Sequence, residues 1–304
     1  MIENKKYLIA VVGPTAIGKT AVSIALAKHF HSEILSADSR QFFKEMSIGT
    51  AVPSKEELDA VPHHFIQHIS IEDEYNVGDF ERDALNLIEE IFKKQDILFL
   101  VGGSGLYIDA VLKGLDSFPE VNPKIREELQ QVYDKNGIEP LQNQLKQLDP
   151  DYYNVVDIQN PHRLIRALEV CIQSGKPYSS FLGKNKPERP FEIIKIGLQA
   201  DRKVLYDRIN MRVDLMIENG LLEEAKNLVH KKHLNALQTV GYKELFSFLE
   251  KEISLESAIE EVKKNSRRYA KRQLTWLRKD EAVIWFEYNE PLENIIKYIK
   301  LKTS

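Results

Sequence analysis

The chain has 304 residues, enough for one large or two modest domains, and its 43% hydrophobic and 29% charged content are those of an ordinary globular protein. One cysteine, Cys171, excludes an intrachain disulfide and a cysteine-based zinc site and fits a reducing cytoplasm, the expected location. At a net charge of −4 any nucleic-acid surface has to be local, and no apolar run approaches a transmembrane length, so no membrane partner is expected.

The first apolar run, Leu8 to Val12, is not a leader but a buried strand pattern, and it feeds Gly13, Pro14, Thr15, Ala16, Ile17, Gly18, Lys19 and Thr20. This is a full match to the G-x-x-x-x-G-K-[ST] phosphate loop, followed by an amphipathic helix pattern. Glycines let successive N–H groups point at phosphate oxygens, and the helix adds its positive end. Lys19 brings a charge and Thr20 a hydroxyl for Mg²⁺. The loop is expected to hold a di- or triphosphate.

Ile34 to Ala37 reads as a second short strand, which puts Asp38 at its tip, on the sheet edge where ligands bind in doubly wound folds. Two roles stay open for Asp38: a general base or water-mediated metal contact, and a plain cap or Asx-turn. Residues 44–75 read as loop and short elements; their three histidines, His63, His64 and His68, fit local hydrogen bonding better than a metal site. Val77 to Lys93 has helical periodicity. A third buried strand from Asp96 ends in Gly102, Gly103, Ser104 and Gly105, where most phosphate-loop NTPases place an acidic metal ligand. These glycines are expected to let backbone approach a ligand, with Ser104 offering a hydroxyl.

After Phe118 the alternation gives way to helices, at 125–135, 140–148 and 161–174, and strand signal returns at 193–198. The last of these helices is bounded by Asn160, Pro161 and Gly175 and carries Arg163 and Arg166 on one face. The fold class is therefore α/β: a P-loop, doubly wound parallel-sheet core (1–117 and 192–304) with an all-helical insertion domain (118–191). A helix over 201–217 carries Arg202, Arg208 and Arg212, either a phosphate clamp or a solvated face. A long helix over 254–279 has eight basic residues and no acidic one in its C-terminal half, Arg267, Arg268 and Lys271 among them, with Tyr269 and Trp276 on a shared face. It is read as a nucleic-acid surface or as a solvated face with its aromatics in the core. A closing strand at 282–286 and a short helix complete the chain.

Taken together, the phosphate loop, Asp38-Ser-Arg-Gln41, Ile48-Gly-Thr-Ala51, His63-His64, Gly102-Gly-Ser-Gly-Leu-Tyr107, Asn160-Pro-His-Arg-Leu-Ile-Arg-Ala-Leu-Glu169, Gly241-Tyr-Lys-Glu244 and Tyr269-Ala-Lys-Arg-Gln-Leu-Thr-Trp276 resemble the bacterial tRNA dimethylallyltransferase family over nearly the whole chain. The resemblance implies that the loop binds the pyrophosphate of dimethylallyl diphosphate, and that the prenyl group passes to N6 of the adenine 3′ of the tRNA anticodon. It implies Asp38 as general base, Thr20 holding Mg²⁺, and Lys19 and Arg212 stabilising the departing pyrophosphate. It further implies tRNA contacts at Asp38, Ser39, Arg40, Gln41, Ser104, Gln159, Asn160, Pro161, His162 and Arg163, and more loosely at Arg126. Arg166, Arg267, Arg268 and Lys271 join them as basic candidates, and the insertion is expected to grip the anticodon stem-loop. Ser104 stands where the family commonly has threonine, and the eukaryotic zinc finger is absent. A monomer is expected, and a small-molecule kinase using ATP is the alternative function.

Overall fold

The computed structural model describes residues 5–183 and 188–304. Two compact units divide the chain, one formed by residues 1–112 and 189–304 and the other by 113–188.

The first unit is built on a six-stranded, all-parallel sheet of order β3-β2-β4-β1-β5-β6. Its strands are β1 (Tyr7–Val12), β2 (Ile34–Ser36), β3 (His63–His64), β4 (Ile97–Gly102), β5 (Glu192–Gln199) and β6 (Val283–Glu287). β1 lies at the centre with all six residues buried. A strand covered on both faces reads as an unbroken apolar run rather than an alternating one. Leu8, Ala10 and Val12 pack on one face with Phe80, Ala84 and Ile88 of α3 (Val77–Phe92) and with Ile108 and Val111 of α4 (Gly105–Lys113). Tyr7, Ile9 and Val11 pack on the other with Ile24, Leu26 and Ala27 of α1 (Lys19–His29).

Between α1 and α3, the stretch read as loop holds two small elements. Helix α2 (Lys55–Ala60) is closed by a capping box, with Ser54 Oγ accepting from Glu57 N and Glu57 Oε2 from Ser54 N. β3, only two residues long, forms the sheet edge beside β2.

The second unit is helical: α5 (Pro123–Asn136), α6 (Glu139–Leu148), α7 (Pro150–Tyr153) and α8 (Pro161–Ser174) close around Leu129, Leu141, Leu145, Leu164 and Leu168. α8 starts and stops where its punctuation says it should. Asn160 Oδ1 accepts from Arg163 N, Pro161 needs no partner for a missing N–H, and Gly175 takes a left-handed turn at φ 65°.

After β5, the first unit continues with α9 (Arg202–Glu218), α10 (Leu221–Leu228), α11 (Tyr242–Leu249), α12 (Leu255–Leu277) and, past β6, α13 (Leu292–Thr303). α10 and α11 are eight residues each, too short for their periodicity to stand out in the sequence. They build a third core around Tyr242. There Glu224 of α10 accepts from the backbone N–H groups of Ser47, Ile48 and Gly49 at 2.9–3.0 Å and from the Tyr242 hydroxyl at 2.6 Å. Gly49 is required, because a Cβ there would lie 2.6 Å from the Tyr242 ring. One carboxylate thus fixes the Ser47–Gly49 stretch. Glu224→Ala, which strands four donors, should lower stability by about 2–4 kcal/mol. In a denaturant titration the midpoint should fall with the slope unchanged; an unmoved midpoint would mean that water replaces the carboxylate.

Candidate active site

The carboxyl ends of β1, β2 and β4 converge on one edge of the sheet. The β1 end opens directly into residues 13–18, and α1 begins at Lys19, so its unpaired N–H groups face the loop. Gly18 has φ 107°, which a side chain would strain, and a Cβ at Gly13 would lie 2.7 Å from the Leu198 carbonyl. Ile17 is buried in the core and anchors the loop from below. Lys19 Nζ donates to the Gly13 and Pro14 carbonyls at 3.0 and 2.9 Å.

The β2 tip carries Asp38, and of its two roles the local turn is the one with a bond to show. Its Oδ1 accepts from Arg40 N at 3.1 Å, an Asx-turn, while the residue also lines the cavity above the loop. Ser104, at the β4 tip, reaches the same place: Ser39 N lies 3.4 Å from Ser104 Oγ. The glycines flanking Ser104 allow a close approach that the sequence did not announce. Gly103 and Gly105 make room for α12. A Cβ on Gly103 would lie 2.2 Å from Gln273 Nε2, and one on Gly105 2.3 Å from Trp276 Cδ1. Gly102 is pressed against the Ala37 backbone in the same way.

The α12 face that does this is Tyr269, Gln273 and Trp276, a helical stripe of i, i+4 and i+7. Gln273 is 7% exposed and spans the site, accepting from Thr15 N at 2.9 Å and donating to the Gly103 carbonyl at 3.0 Å. Trp276 Nε1 donates to Asp109 Oδ2 at 2.9 Å while 41% exposed, so it is not a core residue. Sequence reasoning saw the basic residues of this helix and assigned no role to Gln273. Its one signal was position, four residues after one aromatic and three before another.

Arg208 and Arg212, one turn apart on α9, close the loop from the opposite side. Arg208 Nε donates to the Ala16 carbonyl at 2.8 Å, and Arg212 Nη1 lies 3.4 Å from Thr15 Oγ1. Here the phosphate-clamp reading of α9 has the geometry; Arg202 instead lies over the Tyr206 ring. Burial pulls Lys19 down to about 8, with Asp38 opposing and Arg212 assisting the shift. Burial lowers Arg212 as well, again opposed by Asp38. Two withdrawn cations thus share one aspartate.

Two cavities meet here. One, of about 450 Å³, runs along the loop past Lys19, Thr20 and Arg208 to an apolar flank of Ile34, Val52, Ile66, Met211 and Leu215. The other, of about 590 Å³, is lined by Tyr269, Arg272, Lys243, Asn265 and Gln238. Thr15, Ala16, Asp38 and Arg212 belong to both.

The remaining sequence candidates fall into three groups. Arg40 and Gln41 are committed inside the protein: Arg40 Nη1 to the Asn235 and Ala236 carbonyls, Gln41 Nε2 to those of Thr50 and Ala51. In the second unit Gln159, His162 and Arg163 are exposed, Asn160 is the α8 cap, and Arg126 and Arg166 both pair with the buried Glu169. On α12, Arg268 and Lys271 are exposed, whereas Arg267 turns to Asn210 Oδ1 at 2.6 Å. His63 and His64 bond the Val61 carbonyl and Glu33, and no three-residue metal cluster occurs among the described residues.

The IPP transferase family model matches residues 41–280. A tRNA dimethylallyltransferase of Christiangramia forsetii is 62% identical over 298 residues, covering 98% of this chain and 99% of that one. A Flavobacterium psychrophilum protein of the same name is 57% identical, with 97% and 98% covered. Among solved structures, the tRNA isopentenylpyrophosphate transferase of Bacillus halodurans superposes with a TM-score of 0.74 at 39% identity, covering 98% of this chain and 97% of that one. A eukaryotic dimethylallyltransferase acting on tRNA gives 0.79 at 27% identity, with 94% and 74% covered.

The Lys19 environment makes a measurable demand. An anion in the loop restores the charged form, so binding above pH 8 must take up a proton, and affinity should fall as pH rises from 8 toward 10. Calorimetry of inorganic pyrophosphate binding at pH 9, in buffers of different ionisation enthalpy, should show uptake approaching one proton, absent in Lys19→Met. Equal heats in all buffers would refute it.

Proposed function

Since the chain belongs to the IPP transferase family, we propose that it transfers a dimethylallyl group from dimethylallyl diphosphate to N6 of the adenine 3′ of the anticodon in tRNA, releasing diphosphate. The observation that carries the reading is the wall shared by the two cavities, where Asp38 and Arg212 face both. A donor held on the phosphate loop and an acceptor base entering from the second cavity meet at that wall. An ATP-dependent kinase is disfavoured by the Asp38-Ser-Arg-Gln41 motif and by the basic C-terminal half of α12.

The chain's own groups then divide the work. Loop amides, the α1 N-terminus, Lys19 and Arg212 bind the diphosphate, and Ile34, Val52, Ile66, Met211 and Leu215 flank the five-carbon group. The adenine leaves its stack and enters beside Tyr269 and Arg272, whose aromatic face and cation suit a flipped base. The N6 lone pair forms the new bond to C1 while the C1–O bond breaks and its electron pair leaves with the diphosphate. The N6 proton passes to the free oxygen of Asp38, the other being held by Arg40 N. Negative charge grows on the leaving group, where the fixed cations of Lys19 and Arg212 stabilise it most.

Thr20 lines the loop cavity, and we read its hydroxyl as the protein's ligand to Mg²⁺. When bound there, Mg²⁺ would offset diphosphate charge. Exposed Gln159, His162, Arg163 and the Arg126–Glu169–Arg166 cluster are read as contacts to the anticodon stem, and Arg268 and Lys271 as phosphate contacts. Among the described residues no helix is long and apolar enough to cross a membrane. We read the enzyme as a cytoplasmic monomer.

In single-turnover assays Asp38→Ala should slow transfer by about 10²–10⁴-fold while sparing tRNA affinity. A loss of less than about tenfold would remove Asp38 as the base.

A further inference from the structure

Residues 13–16 form the crest of the phosphate loop, and each is held by a side chain. Lys19 takes the Gly13 and Pro14 carbonyls, Gln273 of α12 the Thr15 N–H, and Arg208 of α9 the Ala16 carbonyl. Ala16 sits at φ 63°, a left-handed conformation that a residue with a Cβ adopts only at a cost. Such a conformation persists where its surroundings over-determine it. Here the chain is pinned just before Ala16 by Gln273 and at the Ala16 carbonyl by Arg208.

The Gln273 clamp has a fixed polarity. The Thr15 N–H can only donate and the Gly103 carbonyl can only accept, so these two backbone groups decide which end of the side-chain amide faces which. Gly103 leaves the amide its place, since a Cβ there would lie 2.2 Å from Gln273 Nε2. Anchored in this way at the end of β4, Gln273 holds Thr15, which lines both cavities. Lys19 has to serve the loop carbonyls and an incoming anion with one ammonium, whereas the uncharged amide serves the loop alone. We infer that Gln273 is a positioning residue of the phosphate loop, holding Thr15 and, with Arg208, the left-handed Ala16 in the shape that binds the anion, an inference resting on the reading of this loop as the diphosphate site.

Two variants separate this role from plain packing of α12. Gln273→Met keeps the bulk of the side chain and loses the paired bonds. Its Kd for inorganic pyrophosphate should rise about tenfold, and the KM for dimethylallyl diphosphate with it, while tRNA affinity stays within about twofold. In Gln273→Glu an ionised carboxylate can accept from Thr15 N but cannot donate to the Gly103 carbonyl, whereas the protonated acid can do both. Burial raises the pKa of such a carboxyl. Expressed as a ratio to wild type at each pH, the pyrophosphate affinity lost in Gln273→Glu should therefore return as pH falls from about 8 to about 5, while the loss in Gln273→Met stays nearly constant.

Wild-type pyrophosphate affinity in Gln273→Met, or a Gln273→Glu loss that does not shrink on acidification, would overturn the inference and leave the transferase reading intact. Equal losses of pyrophosphate and tRNA affinity in Gln273→Met would mark a packing role and overturn it too. Failure of the wild type to bind pyrophosphate would overturn the reading of the loop itself.

Discussion

Two cations, Lys19 and Arg212, are withdrawn from water at one edge of a parallel sheet and share a single aspartate between them. Burying positive charge without full compensation is costly, and both groups register it in lowered pKa values. On the proposed reading, an anion completes the arrangement. Everything around it serves that end: the loop amides, the dipole of α1 and Arg208 locking the Ala16 carbonyl.

The second constraint is the fit between α12 and the glycines of β4's end. Gly103 and Gly105 give up side chains so that Gln273 and Trp276 can approach, and the residue between them, Ser104, meets Tyr269. Gln273 bonds both Thr15 N and the Gly103 carbonyl, so the loop after β1 and the end of β4 share one strut. This coupling explains how residues 258 positions apart in the chain, Thr15 and Gln273, come to set a common geometry.

Much of this could be read in the chain itself. Leu8 to Val12 was legible as a buried strand, and α8 was legible to the residue because Asn160, Pro161 and Gly175 mark its ends. Asp38 was placed by topology, since a residue ending β2 must lie on the ligand edge. What stayed hidden were long-range pairings. The roles of Arg40 and Gln41, turned to backbone carbonyls, depend on where residues 235–236 and 50–51 fold back. The purpose of the β4 glycines depended likewise on a helix 170 residues later. Short α10 and α11 had too little periodicity to declare themselves, yet Glu224 and Tyr242 hold the turn that borders both cavities.

The most direct measurement is mass spectrometry of an unmodified tRNA bearing adenine 3′ of its anticodon, after incubation with the protein, Mg²⁺ and dimethylallyl diphosphate. The account predicts that this adenine gains one dimethylallyl group, with one diphosphate released per group and no requirement for ATP. An unmodified adenine, with ATP hydrolysed or its phosphate transferred in a parallel reaction, would contradict it.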